Sequence, residues 1–279
     1  MVEAEESGLD QNNNFYLYCI FRGIPDIESN PGIDRQNKTF FLSHQNLGAL
    51  VSSVSRDKYN EDALEKSLQN IEWLTPRVRT HEKIIRTAME NHSIIPMRFG
   101  TIYSDSKKII DILVKGFKEF NDYFDVVDGK EEWGIKVYAE NDAGSEEIAK
   151  SSKEIVDLDK RIAHMPPGKA YLLKKKRESL ISKFRTNYLK NLSNSIYKTI
   201  SSWCIAGCRN KLLGRNATGK NMDMILNSAF LIDKKSFDNF KKNLDKLALR
   251  HKPSLILFEL SGPWPCYNFC PEFNVFKEE

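Results

Sequence analysis

Between residues 145 and 202 apolar side chains recur at helical spacing on both sides of Met165-Pro166-Pro167-Gly168, a segment that cannot continue a helix without a break. On the near side Ile148, Ile155, Leu158 and Ile162 step by seven, three and four. On the far side Ile181, Phe184, Tyr188, Leu192, Ile196 and Ile200 step by three and then by fours. Two striped helices joined by a short breaker pack most simply as an antiparallel hairpin. Steps of four drift around a helix, so the second stripe wraps and predicts curvature or coiling.

Strand-like segments flank the hairpin. Trp133 to Tyr138 precedes it, with Ile135 and Val137 alternating with Gly134 and Lys136. After it come a strand over Cys204 to Leu213, a glycine-rich loop over Gly214 to Gly219, and a strand over Met224 to Asp233. A helix over Lys235 to Arg250, carrying Phe237, Phe240, Leu244 and Leu247, leads into a last strand over Ser254 to Leu260. The order strand, helices, strand, strand, helix, strand is ferredoxin-like, with the first helix expanded into a hairpin.

The N-terminal half reads differently. Residues 1 to 14 are polar and acidic and predict a disordered leader. Phe15 to Phe21 is dense in aromatic and apolar residues, as a strand buried on both faces requires. Arg22 to Gln36 is expected as loop, then strands over Thr39 to Ser43 and Leu47 to Val54. Leu64, Leu68, Ile71 and Leu74 mark a helix with Asp62 near its start, and Pro76 is expected to begin a second one. A short strand over Ser93 to Arg98 follows, then a helix capped by Ser104 and running to Phe124. The expected class is α+β in two domains, residues 15–128 and 130–262, with the helical hairpin at about 145–202. A proline- and aromatic-rich tail, residues 263–279, is expected to pack back on them.

Bulk properties exclude several functions. Of 279 residues, 42 are basic and 38 acidic, a net charge of +4 that demands no polyanionic partner. No apolar run approaches the roughly 18 residues a membrane span needs. The first residues, Met1-Val-Glu-Ala-Glu-Glu, are acidic where a secretion signal is basic. A cytoplasmic location follows as the expectation, with Cys19, Cys204, Cys208, Cys266 and Cys270 as reduced thiols.

Four short motifs occur in order: Pro96-Met-Arg98-Phe99-Gly100-Thr101, Glu132-Trp133-Gly134-Ile-Lys-Val, Asn227-Ser-Ala-Phe-Leu and Gly262-Pro263-Trp264-Pro265 with Tyr267 and Phe269. Together they resemble the gas-vesicle GvpF/GvpL family from Phe15 to about Phe269. Cys266 departs from the family pattern, which has a second proline there. The resemblance implies an accessory or minor structural component of gas-vesicle shell assembly, localised to the gas vesicle and contacting the shell protein and other accessory proteins. It implies no reaction, and nucleic acid and lipid membrane are not among the expected partners. Physically the motif residues read as architecture: Trp133 and Trp264 as buried anchors, Pro263 and Pro265 as backbone locks, Arg98 as a buried, paired guanidinium or a partner contact.

Four places suggest sharper chemistry. Gly214-Arg-Asn-Ala-Thr-Gly219-Lys220-Asn221 nearly fits a phosphate-binding loop, but Asn221 replaces the Mg²⁺-ligating hydroxyl and a strand follows instead of a helix. A nucleotide-binding assembly factor is the alternative that rests on it. Cys204, Cys208, Cys266 and Cys270 are spaced wide for zinc, and small apolar packing is the expectation, with no metal or cofactor. His81-Glu82 lacks the second histidine of a zinc protease, since position 85 is isoleucine. Lys174, Lys175, Lys176 and Arg177 form a basic run on the hairpin, a solvated face or a surface for an acidic protein partner. A nucleic-acid adaptor is a weaker alternative, because the RNP-like aromatic strand is missing. The protein is therefore expected not to be an enzyme.

Overall fold

The computed structural model describes residues 13–23 and 28–276. Residues 1–12, most of the expected leader, and four residues of the expected loop lie outside that description. The chain divides into two compact units. One takes the chain through Lys130 together with everything from Trp264 onward; the other is Glu131–Pro263.

The first unit begins with β1 (Asn13–Arg22), β2 (Thr39–His44) and β3 (Leu47–Ser55). Helices α1 (Glu61–Leu68) and α2 (Ile71–Asn91) follow, then β4 (Ile94–Pro96) and β5 (Ile102–Tyr103). Helices α3 (Ser106–Lys115) and α4 (Phe117–Val127) close this half. The strand order is β2-β3-β1-β4, with β5 also pairing β1.

β1 is the spine of the unit, buried from Asn14 to Phe21. Its register slips between Leu17 and Cys19, a bulge against β3. The extra residue breaks the alternation, so Tyr18 and Cys19 join the same apolar cluster. Phe15, Leu17 and Ile20 pack instead with Ile109, Leu113, Phe120 and Phe124 of α3 and α4. Tyr16, Tyr18, Cys19 and Phe21 pack with Ile84, Ile85 and Ala88 of α2. Each face of one strand thus carries its own helical layer.

Four local expectations need correction. Asn13 and Asn14 belong to β1, not to a leader; Asn14 is buried and its Nδ2 donates to the Tyr59 carbonyl at 3.2 Å. The helix expected to begin at Pro76 begins at Ile71, where the Asn70 side chain accepts from the Glu72 and Trp73 amides. That cap satisfies amides that Pro76 would have left bare. Asp105, not Ser104, caps α3 through the Lys107 amide. The helix expected to reach Phe124 is interrupted at Gly116, where the Phe120 ring fills the space a side chain would occupy.

The second unit runs through β6 (Lys130–Ala139), α5 (Ser145–Ser151), α6 (Lys153–Ala163) and the 35-residue α7 (Pro167–Ser201). Then come β7 (Ala206–Arg209), α8 (Arg215–Thr218), β8 (Asp223–Asp233), α9 (Phe237–His251) and β9 (Ile256–Trp264). Its sheet has the order β7-β8-β6-β9. Ile135 and Val137 of β6 share one core with Leu226, Phe230 and Ile232 of β8. Leu189, Ile196 and Ile200 of α7 and Phe240, Leu244 and Leu247 of α9 complete it.

The first arm of the hairpin is two helices, broken at Ser152, and the second opens with proline at its first turn, where the missing amide costs nothing. The strand expected over Cys204 to Leu213 shrinks to Ala206–Arg209, so Cys204 lies outside it. The expected flexible loop at Gly214 to Gly219 contains one helical turn ended by Gly219 in the left-handed region. The last strand reaches Trp264, two residues into the expected tail.

Candidate partner-binding surfaces

Residues 96–101 join β4 to β5 across β1. The Met97 amide donates to the Tyr18 carbonyl and the Leu17 amide to the Thr101 carbonyl, both at 2.9 Å. Between them the chain turns tightly. The Arg98 carbonyl accepts from the Thr101 amide at 3.2 Å and its hydroxyl at 2.8 Å, and Gly100 sits at φ +87°, where glycine is favoured.

The turn is bolted from below. The Gly100 amide donates to Tyr16 Oη at 2.9 Å, and Tyr16 Oη lies 3.0 Å from His81 Nδ1. Burial holds His81 neutral, depressing its pKa to about 4, and its bond to the Met97 backbone opposes this only in part. A bond that favours the protonated ring is one the ring donates. Nδ1 is then the acceptor for the Tyr16 hydroxyl, which in turn accepts from Gly100. Phe99 packs edge-on against both rings, at 6.2 Å from Tyr16 and 5.7 Å from His81. Pro96 is buried in β4.

Every other residue of this motif is tied inward. Arg98 is not: it is exposed, and its guanidinium has no ion pair among the described residues. The buried, paired reading of Arg98 is therefore wrong, because a turn whose neighbours are anchored leaves this side chain pointing to solvent. It lines a groove of about 420 Å³ with Met97, Tyr103, Tyr267, Glu272 and Phe273. The tail reaches the groove through Phe273, whose ring lies 4.9 Å from Phe120 and 5.8 Å from Tyr123. Asn274 adds two hydrogen bonds to the Glu119 carboxylate, at 3.0 and 3.2 Å.

The second motif and the Gly262-Pro263 start of the fourth meet in the other unit, because β6 and β9 are neighbours in the sheet. Glu132 is buried, and Trp133 stacks on Phe237 at 4.2 Å while its Nε1 donates to Glu131 at 3.1 Å. Gly262, at φ +133°, lies so close that a Cβ would sit 3.0 Å from the Glu132 carbonyl and 3.1 Å from the Trp133 ring. The Gly262–Pro263 peptide is cis. The Gly134 carbonyl accepts from the Ser261 hydroxyl at 3.5 Å. Asn227 steadies the irregular chain after β7: its Nδ2 donates to the Lys211 carbonyl at 2.8 Å, and its own carbonyl accepts from the Asn210 amide. Pro265 is buried and Pro263 exposed. Trp264 is 38 % exposed, so the anchor expected there is realised by Phe273 and Val275 further along the tail.

The phosphate-loop resemblance dissolves into ion pairs. Lys220 Nζ lies 2.6 Å from Glu259 and 5.2 Å from the centre of the Tyr138 ring. Arg215 bonds Asp223 and Asn141, and Arg185 reaches the same aspartate at 3.0 Å. The cations a phosphate would need are already engaged, and the helix after Gly214 has only four residues. The cysteines split as well: Cys204 and Cys208 fall in one unit, Cys266 and Cys270 in the other. Burial pushes the Cys204 and Cys270 thiols up to about 12, away from the thiolate a metal takes. Among the described residues no three His, Cys, Asp or Glu side chains gather as metal ligands.

The basic run cannot act as one patch, since four consecutive helical residues are spread over about 300°. Arg177 is drawn in to Asp159, 2.6 Å away, while Lys174, Lys175 and Lys176 stay exposed. Lys175 sits 5.0 Å from the Tyr171 ring, and Tyr171 and Leu172 are 56 % and 69 % exposed. These two apolar neighbours escape a periodicity search because each is off the stripe.

Comparison with known proteins agrees over nearly the whole chain. The family model described as gas vesicle synthesis protein GvpL/GvpF matches residues 14–271. Gas vesicle protein L of Streptomyces sp. (strain CB03234) is 24% identical over 256 residues, covering 91% of both chains. Gas vesicle protein L of Haloferax mediterranei is 21% identical over 251 residues, 88% of this chain and 74% of that one. Among solved structures, GvpF of Anabaena sp. PCC7120 superposes with a TM-score of 0.67 at 17% identity, covering 93% of this chain and 99% of its own. GvpF of Microcystis aeruginosa gives 0.63 with the same identity and coverage. At that identity the structures speak to the fold alone, a mixed α+β architecture with two sheets. No helix among the described residues is long and apolar enough to cross a membrane. With motifs, fold and family model in agreement over residues 14–271, the chain belongs to the gas vesicle GvpL/GvpF family.

Proposed function

We propose that this protein acts in gas-vesicle shell assembly as an accessory or minor structural component, by binding the shell protein and other accessory proteins in the cytoplasm, and that it catalyses no reaction. The observation that carries the reading is Arg98. A turn held by a buried tyrosine, a buried histidine, three backbone–backbone hydrogen bonds and the Thr101 hydroxyl presents one guanidinium, unpaired among the described residues, beside an aromatic groove. Such rigid display of a planar, bidentate donor suits recognition of a carboxylate on a protein partner. The ferredoxin-like reading of the second unit rests on its strand order, β7-β8-β6-β9, which puts the first and third strands at the centre.

The test is deletion and rescue. Cells lacking only this chain are scored for vesicles by electron microscopy, then supplied with the wild type or with Arg98→Ala. Vesicles lost on deletion, restored by the wild type and not by Arg98→Ala support the proposal. Normal vesicles in the deletion strain would sink it. A nucleotide-dependent role draws support only from the residue spacing at Gly214 to Lys220; micromolar ATP or GTP binding abolished in Lys220→Ala would favour it.

A further inference from the structure

The exposed flank of α7 has an organisation the basic run alone conceals. Over residues 171–190 the helix carries seven basic side chains, Lys174, Lys175, Lys176, Arg177, Lys183, Arg185 and Lys190, against one carboxylate, Glu178. Both arginines are spent: Arg177 on Asp159, and Arg185 on Asp223 and the Glu140 carbonyl. The lysines that stay exposed are ordered, with Lys176, Lys183 and Lys190 spaced by seven residues. That interval drifts only about 20° per step, so the three ammonium groups form one row about 21 Å long.

Beside the row runs a second line at the same interval, Leu172, Ser179 and Thr186, also exposed. Small side chains there let another backbone come close, and Leu172 with Tyr171 supplies an apolar anchor at one end. The face has a defined limit. One heptad past Thr186, Ser193 is buried and its hydroxyl donates to the Ile225 carbonyl of β8 at 2.6 Å.

We propose that this face of α7 is a docking surface for an acidic helix of a protein partner, laid alongside Lys176, Lys183 and Lys190 with its carboxylates at heptad spacing and an apolar residue on Leu172 and Tyr171. The proposal deepens the assembly role, rests on it, and names the chemistry of one partner. Charge complementarity selects an acidic occupant, and the seven-residue interval selects a helix, since a partner helix running alongside repeats its own side chains at that period. A bilayer suits the face less well. The apolar stripe of α7, with Leu189, Ile196 and Ile200, is consumed by the core, leaving two apolar residues to insert. Nucleic acid suits it less well too, because the arginines that grip phosphate bidentately are engaged inward.

The test uses the full chain and a designed 21-residue helical peptide with glutamate at every seventh position and leucine flanking it. Its control has the same composition with the glutamates moved to intervals of five. Fluorescence anisotropy is expected to show the heptad peptide binding about eightfold more tightly, the product of about twofold for each of three ion pairs. The variant Lys176→Glu/Lys183→Glu/Lys190→Glu should lose that binding, and a peptide with lysine in place of glutamate should bind this variant instead. All three sites are exposed, so helical content by circular dichroism should be unchanged. Equal binding of the two peptides overturns the inference. So does tighter binding of phosphatidylserine vesicles or of random-sequence duplex DNA, each abolished by the triple variant. In the deletion strain the two proposals separate: a dispensable chain defeats the assembly role, whereas rescue by wild type and triple variant alike defeats this surface only.

Discussion

Acidification should loosen the first unit through one side chain, His81. In the folded chain burial holds its imidazole neutral down to about pH 4, whereas in the unfolded chain it protonates near the ordinary value of 6.5. A depressed histidine makes the unfolded state the stronger proton binder below pH 6.5, so stability is full above that value and falls as pH drops toward 4. Between pH 7 and pH 5 the difference amounts to about 2 kcal/mol, since each pH unit below 6.5 costs about 1.4 kcal/mol while only the unfolded chain takes up the proton. The atoms explain the sign: Nδ1 faces the Tyr16 hydroxyl at 3.0 Å, and the cluster of Tyr16, Tyr18 and Phe99 around the ring provides no carboxylate. Glu82 follows in sequence, and burial raises its own carboxyl. The assay is urea denaturation at pH 7 and pH 5 for the wild type and for His81→Gln, which keeps a side-chain amide but cannot titrate. Carboxylates titrate alike in both proteins, so the difference between the two pH effects isolates His81. A His81→Gln variant that loses as much stability on acidification as the wild type would refute the reasoning.

Three further outcomes follow from the same geometry. Tyr16→Phe removes the hydroxyl that joins Gly100 to His81 without changing packing, and should cost about 1–3 kcal/mol by leaving a buried acceptor unmet, read as a lower urea midpoint at constant slope. Phe273→Ala withdraws the ring that packs on Phe120 and Tyr123, so a loss of about 3–5 kcal/mol is expected, with limited proteolysis cutting between Tyr267 and Asn274 before the rest of the chain. Arg98→Ala, by contrast, should move stability by no more than about 0.5 kcal/mol, since the exposed guanidinium holds nothing in place; a larger loss by the same urea assay would mean that it does.

Much of the element pattern was legible from spacing alone. The buried stretch at Phe15 to Phe21, the alternation at Ile135 and Val137 and the proline-divided stripes each reflect a short-range rule that burial imposes. Helix starts were less legible, because Asn70 and Asp105 compete with Pro76 and Ser104 as punctuation and only the bonded amides reveal the winner. The third motif was visible as a string but not as a role: nothing local to Asn227 says that its amide will hold the Lys211 carbonyl sixteen residues earlier.

Periodicity and punctuation in this chain settled which segments are strands and which are helices, and the ordered motifs settled its family, since both depend on neighbours in sequence. The bulge in β1, the outward turn of Arg98, the capture of Lys220 by Glu259 and the sorting of Arg177 from its three lysine neighbours were decided only by folding. In each case the deciding partner lies far along the chain or across a helix. A side chain's environment there is set by the competition for burial and charge among groups that sequence alone does not bring together.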